Sequence, residues 1–344
     1  MRRLRGRLLD AAALGPSPTP CRILPVAPGL QLRACGSTAD DGPILLLVPA
    51  PIKRHYIWDL APPVSVVRAA LQRGLRVYVA EWLPSGEDAP ANGRGLTHHA
   101  DRLLLAALQV IAADAGTGGA PIALAGHSLG GTLAAIFACL HPQRLRALVL
   151  VEAPLHFNST SGRFARFVEA ECDVLALANG RSTIAGSFLN AISSLAAPDE
   201  FQLHRYLDAA ACTGDWQALQ THMRVERWML DEFPMPTQLF VDTVELLYRG
   251  DCFMLGKLAL SGRQLGPADL TVPLMNIYDP RSEVIPAQSI LPFHHAAASP
   301  NKALLAYEGD VGVAIQHVGA LVGSSAHRRI WPAVFDWLED LAVG

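Results

Sequence analysis

Short apolar runs that alternate with helix-like stretches constrain this chain most. Runs at 44–48, 76–80, 122–125, 147–151, 272–278 and 302–307 are four to seven residues long and rich in Val, Ile and Leu. Between them, segments at 64–72, 98–113 and 129–140 carry apolar residues at helical spacing, and a last one at 328–341 puts Trp331, Phe335 and Leu338 on one face. A strand dispenses with polar residues only when both its faces are buried. The alternation therefore predicts an α/β fold with a mostly parallel sheet covered by helices. It stops between Pro154 and Pro273, in a stretch that reads as mostly helical and carries Trp216, Trp228, Phe240 and Tyr248. The expected organisation is a core made of 1–153 and 272–344, interrupted by a helical cap insertion over 154–271. Residues 1–20 are expected to be a frayed tail or to include a short exposed helix. The three large aromatic residues Trp216, Trp228 and Phe240 are expected in the core rather than at a substrate.

Composition narrows the function. Of 344 residues 51% are apolar and only 17% charged, against roughly 25% charged in ordinary soluble chains. Such a chain has ample apolar surface to offset chain entropy, which excludes disorder. With 28 basic and 31 acidic residues it has no cationic excess to drive nucleic-acid binding. No apolar run reaches the ~18 residues of a membrane span. Arg2, Arg3, Arg5 and Arg7 precede Leu8 and Leu9, but Asp10 interrupts the apolar stretch that a secretion signal needs. The six cysteines (Cys21, Cys35, Cys139, Cys172, Cys212, Cys252) are scattered without a CxxC pair. They predict neither a metal site nor a disulfide framework, only small buried apolar residues and a cytoplasmic compartment. No cofactor is expected.

The chemistry-bearing motif is Gly126-His127-Ser128-Leu129-Gly130-Gly131, which follows the apolar run 122–125 and opens the helical segment 129–140. A G-x-S-x-G pattern in strand–turn–helix context is a nucleophile elbow: the sharp turn presents the serine at the sheet's C-terminal edge, and bulky neighbours would clash. A serine needs a base, and the base an orienting acid. His317 follows the last strand and precedes the last helix, whereas His294 and His295 come too early and His327 reads as a helix cap. Asp279 directly follows the strand 272–278, so the order Ser128, Asp279, His317 suits the fold; Glu283 and Asp310 compete with Asp279 for the acid. The oxyanion hole needs the Leu129 N–H and a second donor from Pro49-Ala50-Pro51-Ile52. Proline has no N–H, so that donor is Ala50 or Ile52, with Ile52 preferred.

These residues carry a wider resemblance. Pro51-Ile52-Lys53-Arg54-His55-Tyr56-Ile57-Trp58-Asp59-Leu60, the stretch from Ser65 to Trp82, Gly130-Gly131-Thr132-Leu133, Glu226-Arg227-Trp228, and Gln316-His317-Val318-Gly319 ahead of the Trp337 helix all resemble polyhydroxyalkanoate synthases, the class III catalytic subunit above all. The likeness runs from about Arg22 to the C-terminus. It implies an α/β-hydrolase fold with a cap domain and a substrate of 3-hydroxyacyl-coenzyme A type, or the polyester made from it. It also implies a partner subunit or a homo-oligomer. Two departures stand out. The elbow residue is Ser128 where the synthases have cysteine, and the position of their acid, matched on Val284-Ile285-Pro286, is Ser282. A serine oxoester is less activated for transfer than a cysteine thioester, which favours water as the second nucleophile. The expected activity is a serine hydrolase of (3-hydroxy)acyl esters or thioesters. The alternative is synthase-type acyl transfer, and a third reading is an interaction subunit with an impaired site.

Overall fold

The apolar runs become the centre of a single sheet. The computed structural model describes residues 2–36, 41–84, 93–157, 162, 165–168, 173, 176 and 180–343. Eight strands line up: β1 Cys21–Ala27, β2 Leu30–Cys35, β3 Ile44–Val48, β4 Arg76–Trp82, β5 Ile122–His127, β6 Leu145–Val151, β7 Leu274–Tyr278 and β8 Lys302–Ala306. Their order is β1-β2-β4-β3-β5-β6-β7-β8. The β1–β2 and β2–β4 pairs are antiparallel, and every neighbouring pair from β4 to β8 is parallel. Strands β3 to β8 are the six legible as apolar runs. The β1–β2 hairpin escapes that signal because β1 is an edge strand whose residues are half-buried or exposed, so nothing forces a continuous apolar run on it.

Strand β3 is buried throughout, and its side chains part by parity. Leu46 and Val48 join Leu124, Leu148 and Leu150 on one face, under helices α3 (Leu104–Ala115) and α4 (Leu129–Leu140). Leu45 and Leu47 join Ala123, Ala125, Val149 and Val151 on the other, under α2 (Val66–Gln72) and a C-terminal helix, Trp331–Val343. Local chemistry sets the ends. The Ser65 hydroxyl accepts the Arg68 N–H at 2.9 Å to start α2, and Gly116 at φ 66° ends α3.

Between β6 and β7 the described residues form helices α5 (Gly186–Ala196), α6 (His204–Ala211) and α7 (Trp216–Leu230), with short strand pairs beside them. The arginine-rich start is the helix α1 (Arg2–Ala11), fastened along α7. Its Arg5 reaches Glu226 at 2.7 Å, and Asp10 accepts two bonds from Arg227 at 2.8 and 3.0 Å.

The cysteines require a correction. Cys21 and Cys35 stand opposite one another in the β1–β2 register, with Cα atoms 4.3 Å apart, and form a disulfide. Their spacing of 14 residues carries no motif; it is the hairpin register that brings them together. Cys139 and Cys212 are buried free thiols as expected, Cys252 is half-buried, and Cys172 lies outside the described residues. Among the described residues no helix is long and apolar enough to cross a membrane.

Candidate active site

The turn between β5 and α4 holds Ser128 at φ 54° and ψ −133°, where side-chain-bearing residues are strained. Hydrogen bonds fix it there. Its N–H donates to Val151 O at 3.0 Å, and its carbonyl accepts from Gly131 N at 2.8 Å and Thr132 N at 3.1 Å. The flanking glycines are demanded by space rather than by unusual dihedrals. A Cβ on Gly126 would lie 2.6 Å from Gly131 Cα, and one on Gly131 would lie 2.5 Å from Ala153 Cβ. The serine stands at the N-terminus of a twelve-residue helix, where unpaired N–H groups favour developing negative charge.

Ser128 opens on a cavity of about 170 Å³ with mostly apolar walls, and Leu129, Ala50, Ile52 and His317 line the same space. The three aromatic residues expected in the core divide. Trp228 and Phe240 are buried but form part of the cavity wall, whereas Trp216 is 67% exposed. A helix taken alone does not show whether its apolar face meets a protein core or a ligand space. Leu203, Tyr206, Leu207 and Trp216 leave further apolar surface exposed on the insertion. Lys53 and Arg54 both line the cavity; Lys53 Nζ donates to Met229 O at 2.9 Å and sits 5.5 Å over the Trp228 ring. For Lys53, burial pulls the ammonium down to about 8.

His317 lies in a short turn after β8, and residues distant in sequence tether that segment. His127 Nε2–H donates to His317 O at 3.0 Å, and the two rings pack 4.8 Å apart. Glu200 accepts the Gln316 N–H at 2.9 Å. Asp208 accepts the N–H groups of Gly312 and Ala314 at 2.8 Å each. Burial pushes the His317 imidazole down to about 4, against the opposing pull of Glu200's charge, so the ring is neutral at pH 7. Burial and the neighbouring His317 push His127 to about 3.

The candidate acids are distributed differently from the sequence expectation. Asp279 is buried at the end of β7, but its Oδ1 accepts from the Arg281 backbone N–H at 2.8 Å and from Arg281 Nε at 3.3 Å. Glu283 is exposed. Asp310 accepts from Tyr307, Ser324 and Ser325 and so holds the start of a later helical turn. The carboxylate beside His317 is Glu152, fully buried, with Oε2 3.8 Å from Nδ1. The sequence reasoning missed it, although Glu152 directly follows the run 147–151 just as Asp279 follows 272–278. A carboxylate directly after an apolar strand is the sequence signal that the two residues share. His294, buried and bonded to Asn276, and His327, bonded to Leu321 O, have structural partners.

Among the described residues Asp208, Cys212 and His222 bring three ligand-type atoms within 4.8 Å. Asp208 already accepts from His222 at 2.7 Å and from two backbone N–H groups, so its lone pairs are engaged in fastening the histidine segment.

Comparison with known proteins agrees with this fold. Residues 43–184 match the family model described as alpha/beta hydrolase fold. The chain is 28% identical over 313 residues to the poly(3-hydroxyalkanoate) polymerase subunit PhaC of Haloferax mediterranei, covering 90% of this chain and 61% of that one. It is 23% identical over 298 residues to the PhaC subunit of Allochromatium vinosum, covering 86% and 80%. It thus spans about three fifths of the length of the haloarchaeal relatives it matches. Among solved structures, the enol-lactonase from Burkholderia xenovorans LB400 superposes with a TM-score of 0.53 at 15% identity, over 93% of this chain and 100% of that one. A thermophilic esterase from Thermogutta terrifontis does so with 0.51 at 16%, over 91% and 93%. The chain has the α/β-hydrolase fold and is a homologue of PhaC polymerase subunits.

Proposed function

We propose that this chain is a serine-nucleophile enzyme acting on (3-hydroxy)acyl esters or thioesters through an acyl-enzyme on Ser128. One observation carries the reading: a strained serine at a helix N-terminus and a neutral histidine line the same apolar cavity. His317 takes the Ser128 proton as Oγ attacks the acyl carbonyl, and the N–H groups of Leu129 and Ile52 receive the oxyanion. The protonated imidazole then donates its proton to the leaving alcohol or thiol. Water, deprotonated by His317, releases the acid. The apolar walls fit a hydrophobic acyl chain. The same cavity would take an acyl-coenzyme A or a polyester end, and such a substrate goes with the cytoplasm and with a partner subunit or a second copy.

A second reading has support of its own, since the relatives in hand are polymerase subunits. In that case the acyl group passes to the hydroxyl of another hydroxyacyl unit rather than to water. A fluorophosphonate should label the wild-type chain at Ser128 and leave Ser128→Ala unlabelled; no labelling of the wild type beside a labelled control hydrolase overturns both enzyme readings in favour of an interaction subunit. Given labelling, 3-hydroxybutyryl-coenzyme A separates the two: free hydroxy acid means hydrolysis, insoluble polymer means transfer.

A further inference from the structure

Two buried polar atoms face one another at the back of the cavity. Glu152 Oε2 and His317 Nδ1 are 3.8 Å apart, and neither has a hydrogen-bond partner elsewhere. A buried polar atom left unpaired has given up water without gaining a partner, so each is destabilising as it stands. A closure of about 0.9 Å would bring them to ordinary hydrogen-bond length, and hydrogen bonds of this kind commonly tighten only when substrate is bound. We propose that Glu152, rather than Asp279, is the positioning carboxylate of His317, accepting its Nδ1–H so that Nε2 is left to take the Ser128 proton. This rests on the reading of Ser128 and His317 above.

The surroundings of Glu152 are built to aim its carboxyl. The residue sits at φ 46°, a conformation side-chain-bearing residues adopt only when the neighbouring structure imposes it. Its N–H donates to Ile277 O at 2.9 Å, and the preceding residue, Val151, accepts the Ser128 N–H. The nucleophile's N–H is therefore bonded to the last residue of β6 and the carboxylate belongs to the very next residue, which ties their positions together. The other oxygen, Oε1, accepts the backbone N–H of Asp279, and the Ser282 hydroxyl also hydrogen-bonds the carboxyl. Those donors leave Oε2 for the imidazole. Asp279 contributes through its backbone, while its own carboxylate is held by Arg281.

Burial pushes the Glu152 carboxyl well above its ordinary value and Asp279's charge adds to the push, while the Asp279 N–H and the Ser282 hydroxyl oppose it. The groups facing it are Asp279 and Ser282 from the loop after β7, Glu200 from the insertion and His317 from the segment after β8, with His127 behind the imidazole. The active form needs an ionised Glu152 beside a neutral His317. Activity therefore rises with pH as the pair loses its shared proton, and that limb belongs to both groups.

The test compares wild type, Glu152→Gln, Glu152→Asp and Asp279→Asn, using fluorophosphonate labelling rates and the pH profile of kcat/KM on a soluble p-nitrophenyl acyl ester. Removing a triad carboxylate cost ~10⁴-fold in a well-studied serine protease. We expect Glu152→Gln to lower kcat by about 10³-fold or more with KM changed little, and to displace the acidic limb. Glu152→Asp should recover part of the loss, and Asp279→Asn should fall by less than about tenfold. Labelling of Glu152→Gln within tenfold of wild type, or a loss that leaves the pH profile unmoved, overturns the assignment. If Glu152→Gln does not fold, the Glu152→Asp profile decides: an acidic limb at the wild-type pH overturns the assignment, and a displaced limb supports it. A wild type that is not labelled at all refutes the serine reading itself, a separate outcome.

Discussion

Replacing Gly130 by alanine tests whether backbone contact between helix and strand sets the nucleophile's position. A Cβ at residue 130 would stand 2.5 Å from Pro49 C, Pro49 O and Val48 O, all of them backbone atoms at the end of β3. Ordinary contact begins near 3.4 Å, so the first turn of α4 must retreat by about 0.9 Å (3.4 − 2.5) from β3. No side chain can swing away to relieve this, because both partners are main chain in a close-packed core. Overpacking of this kind costs about 1–3 kcal/mol. At about 2 °C per kcal/mol for a chain of this size, the melting temperature should fall by roughly 2–6 °C. Activity should suffer more than stability. The retreat separates Ser128 and the Leu129 N–H from the Pro49–Ile52 segment that carries the second candidate oxyanion donor, and a misplacement near 1 Å can cost ~10²-fold. Differential scanning calorimetry and fluorophosphonate labelling measure the two effects, with Gly93→Ala as control, since a Cβ there meets nothing within 4 Å. A Gly130→Ala protein with wild-type melting temperature and labelling rate would refute the reasoning.

Breaking the hairpin disulfide with Cys21→Ser and Cys35→Ser should lower stability by up to about 3 kcal/mol, the loop-closure value for a loop of about fifteen residues; urea denaturation with and without reductant checks this, and identical curves for wild type under both conditions would show that the bond does not form in solution. In Asp208, burial raises the carboxyl, but the His222, Ala314 and Gly312 bonds outweigh it and hold the group below its ordinary value of 3.8. A depressed folded-state value stabilises above the unfolded one, so this contribution is full at neutral pH and fades as pH falls below about 4. Wild-type stability should therefore decline more steeply than that of Asp208→Asn between about pH 4 and 2, as followed by thermal melts; parallel curves would show that Asp208 carries no such linkage. Leu189→Trp fills part of the cavity wall and should raise KM for long-chain over short-chain p-nitrophenyl esters by about tenfold or more, with unchanged selectivity as the contrary result.

What the sequence determined by itself is what neighbours along the chain decide. The periods of strand and helix are local, so β3 to β8 and α4 could be read from residue pattern. The Gly126–Gly131 turn could be read because a strand that passes abruptly into a helix needs small residues around the serine. The order of Ser128 and His317 along the strands was legible for the same reason. Contacts across the chain were not. The Cys21–Cys35 bond follows from hairpin register, and the edge strand β1 had no apolar run to announce it. Trp228 and Phe240 are apolar whether they face a core or a cavity, and only the docking of the insertion separates those cases. Glu200, Asp208 and His127 hold the His317 segment across more than a hundred residues, by hydrogen bonds that no spacing encodes. The carboxylates show the division most clearly. Asp279 and Glu152 both directly follow strands, yet the sequence reading points to Asp279 alone of the two. Adjacent parallel strands carry both to one sheet edge, where side-chain direction decides: Asp279 turns to Arg281, and Glu152, at its strained φ, turns to the histidine.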